Sequence, residues 1–134
     1  MLIRSSRGSA ALGFEIVGSR RDGRVEELAA KLHGPVEGGV NVYDDHFEAL
    51  SAFFRDLSDH WRGWEGNKSW ESLEGELSLT ASIDKAGHVS LRVVLTDVAV
   101  AERWRAEATI FLDAGGLEGI ARGIDQFFSV AGAA

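Results

Sequence analysis

From residue 73 to residue 112 the chain alternates apolar and polar side chains in three successive stretches, and a two-residue period of that length admits few folds. Leu73, Leu77, Leu79, Ala81 and Ile83 alternate with Glu74, Glu76, Ser78, Thr80 and Ser82. Val89, Leu91, Val93 and Leu95 alternate with His88, Ser90, Arg92 and Val94, and Trp104, Ala106, Ala108, Ile110 and Leu112 with Arg103, Arg105, Glu107 and Thr109. Side chains two apart share one face of a strand, so each stretch predicts a strand over 73–83, 88–96 and 102–112 with one greasy face. Asp84-Lys85-Ala86-Gly87 predicts a hairpin turn, its glycine supplying a positive φ.

The period then lengthens. After Asp113, read as an N-cap, Leu117, Ile120, Ala121, Ile124, Phe127 and Phe128 fall on one helical face. The glycines at 115, 116, 119 and 123 weaken this helix, and they would let it lie close on a sheet. The first half of the chain repeats the plan. Leu12, Phe14 and Ile16 alternate, Asp22-Gly23 turns the chain, and residues 24–33 place Glu26, Leu28, Ala30 and Leu32 on one face. That segment has helical propensity too, but the turn before it and the parallel with the second half favour a strand. Val40 and Val42 form the next strand. A helix then starts at Asp45, with Glu48 completing a capping box and Phe47, Leu50, Phe54, Leu57 and Trp61 forming its stripe.

The expected architecture is therefore α+β: an antiparallel sheet of about six strands with two helices packed on one face, a βββα-βββα pseudo-repeat. One domain would span 1–134, with halves at about 1–60 and 71–130. The opposite sheet face, carrying Glu74, Glu76, Ser78, Thr80, Arg92, Arg103, Arg105 and Glu107, would be solvated and ion-paired.

A chain of 134 residues, 45% hydrophobic, can bury a core without staples, and with no cysteine it has neither disulfides nor thiolate chemistry. A net charge of -7 without a basic patch makes nucleic acid a poor partner and suits a basic protein partner. No apolar run reaches the about 20 residues of a membrane span, and no secretory h-region follows Met1, so a cytoplasmic location is expected.

The stretch Trp61-Arg62-Gly63-Trp64-Glu65-Gly66-Asn67-Lys68-Ser69-Trp70 holds three of the four tryptophans. Tryptophan beside arginine is typical of binding hot spots, so Trp61, Arg62, Trp64, Glu65, Trp70 and the nearby Glu74 form the candidate binding set. A simpler reading makes Trp61 the end of the helix stripe, with Trp64 and Trp70 plugging the core. Chemistry elsewhere is sparse. His46 and His60, fourteen residues apart on a predicted helix, would sit about 21 Å apart and could not share a metal. His33 has no partner at ligand spacing, and His88 reads as a brace for the Asp84 turn rather than a general base. Glu74 and Glu76 could pair for hydrolysis, but a solvated ion-paired face explains them with fewer assumptions. No phosphate loop, nucleophile elbow or zinc-protease motif occurs, and no cofactor is implied.

Trp61-Arg62-Gly63-Trp64-Glu65-Gly66, Trp70, Gly87-His88-Val89, Trp104 and Leu112-Asp113-Ala114-Gly115 resemble an uncharacterised bacterial family, mostly actinobacterial, over about residues 40–128. That resemblance implies no activity and no catalytic residue. In size, acidity and halves the chain is also loosely similar to immunity proteins of polymorphic toxin systems. The leading expectation is a non-enzymatic protein-binding domain, an immunity-type inhibitor of a basic toxin. A homodimeric structural or regulatory module, and a small-molecule binder or hydrolase with a cleft near the tryptophans, are the alternatives.

Overall fold

A computed structural model describes residues 1–45 and 47–133. Among these the chain forms eight strands and two helices: β1 (Leu2–Arg4), β2 (Ala11–Ser19), β3 (Val25–His33), β4 (Gly38–Tyr43), α1 (Glu48–Asp59), β5 (Lys68–Glu71), β6 (Leu77–Ile83), β7 (His88–Thr96), β8 (Arg105–Asp113) and α2 (Leu117–Ala133), the last entered through a 3-10 turn at Ala114–Gly116. The expected α+β class is present, but the single six-stranded sheet is not. The strands make two four-stranded antiparallel sheets, β1-β2-β3-β4 and β5-β6-β7-β8, so each half is ββββα. The added strands, β1 and β5, have three and four residues, too few for an alternation to register.

One apolar cluster joins both sheets and both helices. Ile3, Leu12, Phe14, Leu28 and Val42 enter it from the first sheet, and Leu77, Leu79, Leu91, Leu95 and Ile110 from the second. Leu50, Phe54 and Leu57 of α1 and Leu117 and Ile124 of α2 complete it. The halves interlock, because α1 packs on α2 and β5 while α2 reaches back to β3. Phe47 stacks on Phe128 at 5.6 Å, and Arg55 meets Asp125 at 3.1 Å across the helix pair. The two sheets are also clipped together: the Ser6 amide donates to the Phe111 carbonyl at 2.7 Å, and the Phe111 amide to Ser5 Oγ at 2.9 Å.

Several local expectations are corrected. The strand expected over 73–83 starts only at Leu77, because Ser72–Gly75 closes a tight turn with Gly75 at φ 78°. Leu73 and Glu74 therefore sit on the turn, and Leu73 is 73% exposed. In β3 it is Val25, not Glu26, that is buried, because a register shift near Gly18 changes the phase of the alternation. Residues 102–104 precede β8, with Arg103 at φ 48°. Asp45 does not cap α1. Its carboxylate pairs with Arg20 at 3.2 Å, and the helix opens at Phe47, a left-handed residue without a side-chain cap. Asp113 makes no capping bond either. Trp61 lies beyond α1, which ends at Asp59 with His60 as its C-cap. His46, and with it the His46–His60 spacing, lies outside the described residues. The solvated face is as expected for Arg92 and Glu107, which pair at 2.6 Å across β7 and β8. Glu76, by contrast, is buried.

Candidate functional site

The tryptophan-bearing stretch separates into parts with different environments. Trp70 is the inward residue of the short β5, paired in register with Leu79, and is 9% exposed within the core. Trp64 is half-buried, and its indole N–H donates to the Ala81 carbonyl at 3.3 Å. Lys68 reaches over the Trp64 ring at 5.9 Å and is held there by Asp56 at 2.9 Å. Trp61 is 51% exposed, with the Arg62 guanidinium over its ring at 5.2 Å. Glu65 is also exposed, on the loop after Trp64.

Trp61 stands on the rim of an open hollow of about 540 Å³ lined by Ser58, Asp59, Ala114, Gly115 and Glu118. This hollow lies where the end of α1 meets the start of α2. Its charged lining residues, Asp59 and Glu118, are acidic, although Glu118 is met by Arg122 at 2.8 Å one helical turn along.

Glu74 is elsewhere. The β5–β6 turn carries it to a second hollow of about 530 Å³, which it lines with Asn41, Tyr43, Glu76, Thr96 and Asp97. The structure thus does not bring Trp64, Trp70 and Glu74 to one cleft. The two hollows lie at opposite ends of β7 and β8, separated by the nine-residue length of β8, about 30 Å at the usual strand rise.

The second hollow has a feature that the alternation hid. Glu76 is 6% exposed, and its carboxylate accepts from the Ser72 hydroxyl at 2.9 Å and from the Tyr43 amide at 3.3 Å. Ser72 Oγ in turn accepts from the Leu77 amide at 3.1 Å, so Glu76 locks the turn of one sheet to the edge strand of the other. Tyr43, beside it, has its phenol pKa raised, first by a hydrogen bond with the Glu27 carboxylate and by that group's negative charge, then by burial and by Glu76. Tyr43 is the only tyrosine in the chain, so an ultraviolet phenolate titration reads it alone. The midpoint should lie above the ordinary value of 10.0 and fall back towards it in Glu27→Gln. An unshifted wild-type midpoint would show that Glu27 does not hold the phenol. Signals for this region were present in the sequence: Gly38-Gly39 opening a strand marks a close backbone approach, and the lone tyrosine sits four residues after that pair.

His88 braces its turn as read. Asp84 accepts from the Ala86 and His88 amides, both at 2.9 Å, and its other oxygen lies 3.2 Å from His88 Nδ1. The Asp84 pKa is lowered, chiefly by the His88 amide. Among the described residues no three of His, Asp and Glu are disposed to hold a metal, and no helix is long and apolar enough to cross a membrane.

These features define an α+β protein of two ββββα halves, with an exposed Trp–Arg stack at one end and an acidic, sheet-edge hollow at the other. The chain belongs to a family of unknown function (DUF6228), whose model matches residues 4–131 and so takes in the N-terminal sheet as well as the tryptophan-bearing segment. No curated protein and no solved structure matches the chain.

Proposed function

We propose that the chain is a non-enzymatic protein-binding domain that takes a basic partner, in the manner of an immunity-type inhibitor of a toxin. The observation that carries this reading is Trp61. Half of its surface is in water, its ring is stacked by Arg62, and it rims a hollow whose floor is small and whose charged residues are acidic. Tryptophan and arginine at the centre of an interface contribute most of its energy, and a surrounding negative field speeds encounter with a positive partner. The net charge of -7 gives the chain as a whole the sign that attracts a positive partner.

Affinity capture from the encoding organism, at about 50 and 500 mM salt, should retain a basic protein more strongly at the lower concentration, where screening is weaker. With that partner purified, Trp61→Ala should weaken binding by about 30-fold, the size of a hot-spot residue, while the unfolding midpoint stays close to wild type. Capture of no protein at either salt concentration, or affinity unchanged by Trp61→Ala, overturns the reading.

A further inference from the structure

The outer edge of β4 carries an open row of main-chain groups. The Asp44 amide donates to the Glu26 carbonyl, and in an antiparallel ladder this fixes which residues face the neighbouring strand. Val42, Val40 and Gly38 turn their amides and carbonyls to β3, whereas Tyr43, Asn41 and Gly39 turn theirs outward. The outward amide of Tyr43 is used by Glu76 at 3.3 Å. Among the described residues those of Asn41 and Gly39 meet no acceptor outside the sheet, and they open onto the hollow walled on its far side by Thr96, Asp97 and Val98. Gly39 has no side chain to obstruct this edge. At the far end the edge nears Trp104, whose ring lies 3.6 Å from where a β-carbon on Gly38 would stand.

An unpaired strand edge beside a trough accepts another strand, with main-chain bonds giving affinity and alternate side chains entering flanking pockets. The charge here selects the incoming chain. Glu74, Glu76 and Asp97 line the trough, no lining residue is basic, and no cation is ion-paired with Glu76 among the described residues. Glu76 is buried and hydrogen-bonded, so it contributes its charge to the trough from beneath, while Glu74 and Asp97 stand at the surface to meet a cation. Val98, 47% exposed on the same wall, offers an apolar contact between basic positions.

We infer that β4 docks an extended segment of a basic partner protein as an added antiparallel or parallel strand, its main chain on Gly39 and Asn41 and its basic side chains on Glu74 and Asp97. A second copy of this chain is disfavoured as occupant, because β4 against β4 would set the same carboxylates face to face. The inference rests on the protein-binding reading, but on a surface about 30 Å from Trp61 by strand rise.

The test uses the full chain and a short soluble peptide alternating lysine and valine. At about 1 mM peptide, amide hydrogen exchange at Gly39 and Asn41 should slow at least tenfold, and a peptide alternating glutamate and valine should give no slowing. Asn41→Pro removes one outward amide that the free protein does not use, a change that edge strands tolerate, and should abolish the slowing at Gly39. Glu74→Lys, on the exposed turn, should weaken lysine-peptide binding about tenfold without needing any change in the ladder. Trp61→Ala should leave all of these results unchanged, which separates failure here from failure of the Trp61 reading. No slowing with the lysine peptide, equal slowing with the glutamate peptide, binding indifferent to both variants, or self-association through β4 overturns the inference.

Discussion

Trp70→Ala should lower the unfolding free energy by about 3–5 kcal/mol, against about 0.5 kcal/mol or less for Trp61→Ala. The two tryptophans lie nine positions apart, and sequence alone makes them look equivalent. Trp70 is fixed on β5 by its pairing with Leu79 and faces the apolar cluster, and α1 packs on the same short strand. Removing its indole leaves a cavity under α1 that the four-residue strand cannot collapse to fill. Since a domain of this size holds only about 5–15 kcal/mol, the loss is a large share of the total. Urea unfolding followed by far-ultraviolet circular dichroism measures it, because Trp61, Trp64 and Trp104 would complicate a fluorescence signal. A loss for Trp70→Ala no larger than for Trp61→Ala would mean that Trp70 is not in the core. The same pair of variants separates the two roles of the tryptophan-bearing stretch: Trp61→Ala should reduce partner binding and spare stability, and Trp70→Ala the reverse.

This division explains which parts of the molecule could be read from the sequence. The alternation in His88–Thr96 is legible because nine residues place Val89, Leu91, Val93 and Leu95 on the core, whereas Val25–His33 is readable as a strand only from the turn before it and the parallel with the second half. β5 was not, since four residues give too little pattern, and without β5 nothing local says that Trp70 points inward while Trp61 points out. Strict alternation puts Glu26 on the inner face because it cannot anticipate the register shift opposite Gly18. Asp45 followed the rule for helix caps, but its ion pair with Arg20, twenty-five positions earlier, is a tertiary interaction that no capping pattern encodes. Glu74 stands only four positions after Trp70, which in sequence places it with the tryptophans. β5 runs away from Trp61 and Trp64, and the Ser72–Gly75 turn that follows it holds Glu74 beside Tyr43 rather than beside them. The composition of the tryptophan-bearing stretch is visible in the sequence, whereas its division between a core plug and an exposed stack depends on strand pairing.

Gly34→Ala should be the most damaging of the Gly→Ala changes among the described glycines, at about 3 kcal/mol or more, from backbone strain and overpacking together. Gly34 opens the turn between β3 and β4 at φ 110°, a region closed to residues with a β-carbon. A β-carbon there would stand 2.6 Å from the Ser9 carbonyl oxygen and 2.8 Å from its carbon. Those are main-chain atoms of the β1–β2 connection, so no side chain can swing away, and the turn itself has to lift. Gly8 is the matched control: it also has a positive φ, 73°, but a β-carbon there meets nothing within 4 Å, so Gly8→Ala should show only the conformational part, about 1 kcal/mol. Equal losses for the two variants in urea unfolding would mean that the close approach of Gly34 to Ser9 does not exist. The difference matters for the edge strand as well, because the turn that Gly34 opens sets where β4 begins. A lifted turn should loosen the Leu32–Gly38 end of the ladder first and leave the Glu27–Tyr43 end, held by Glu76, more nearly intact. Amide exchange in Gly34→Ala should therefore quicken at Gly38 and Val40 before it quickens at Val42 and Asp44.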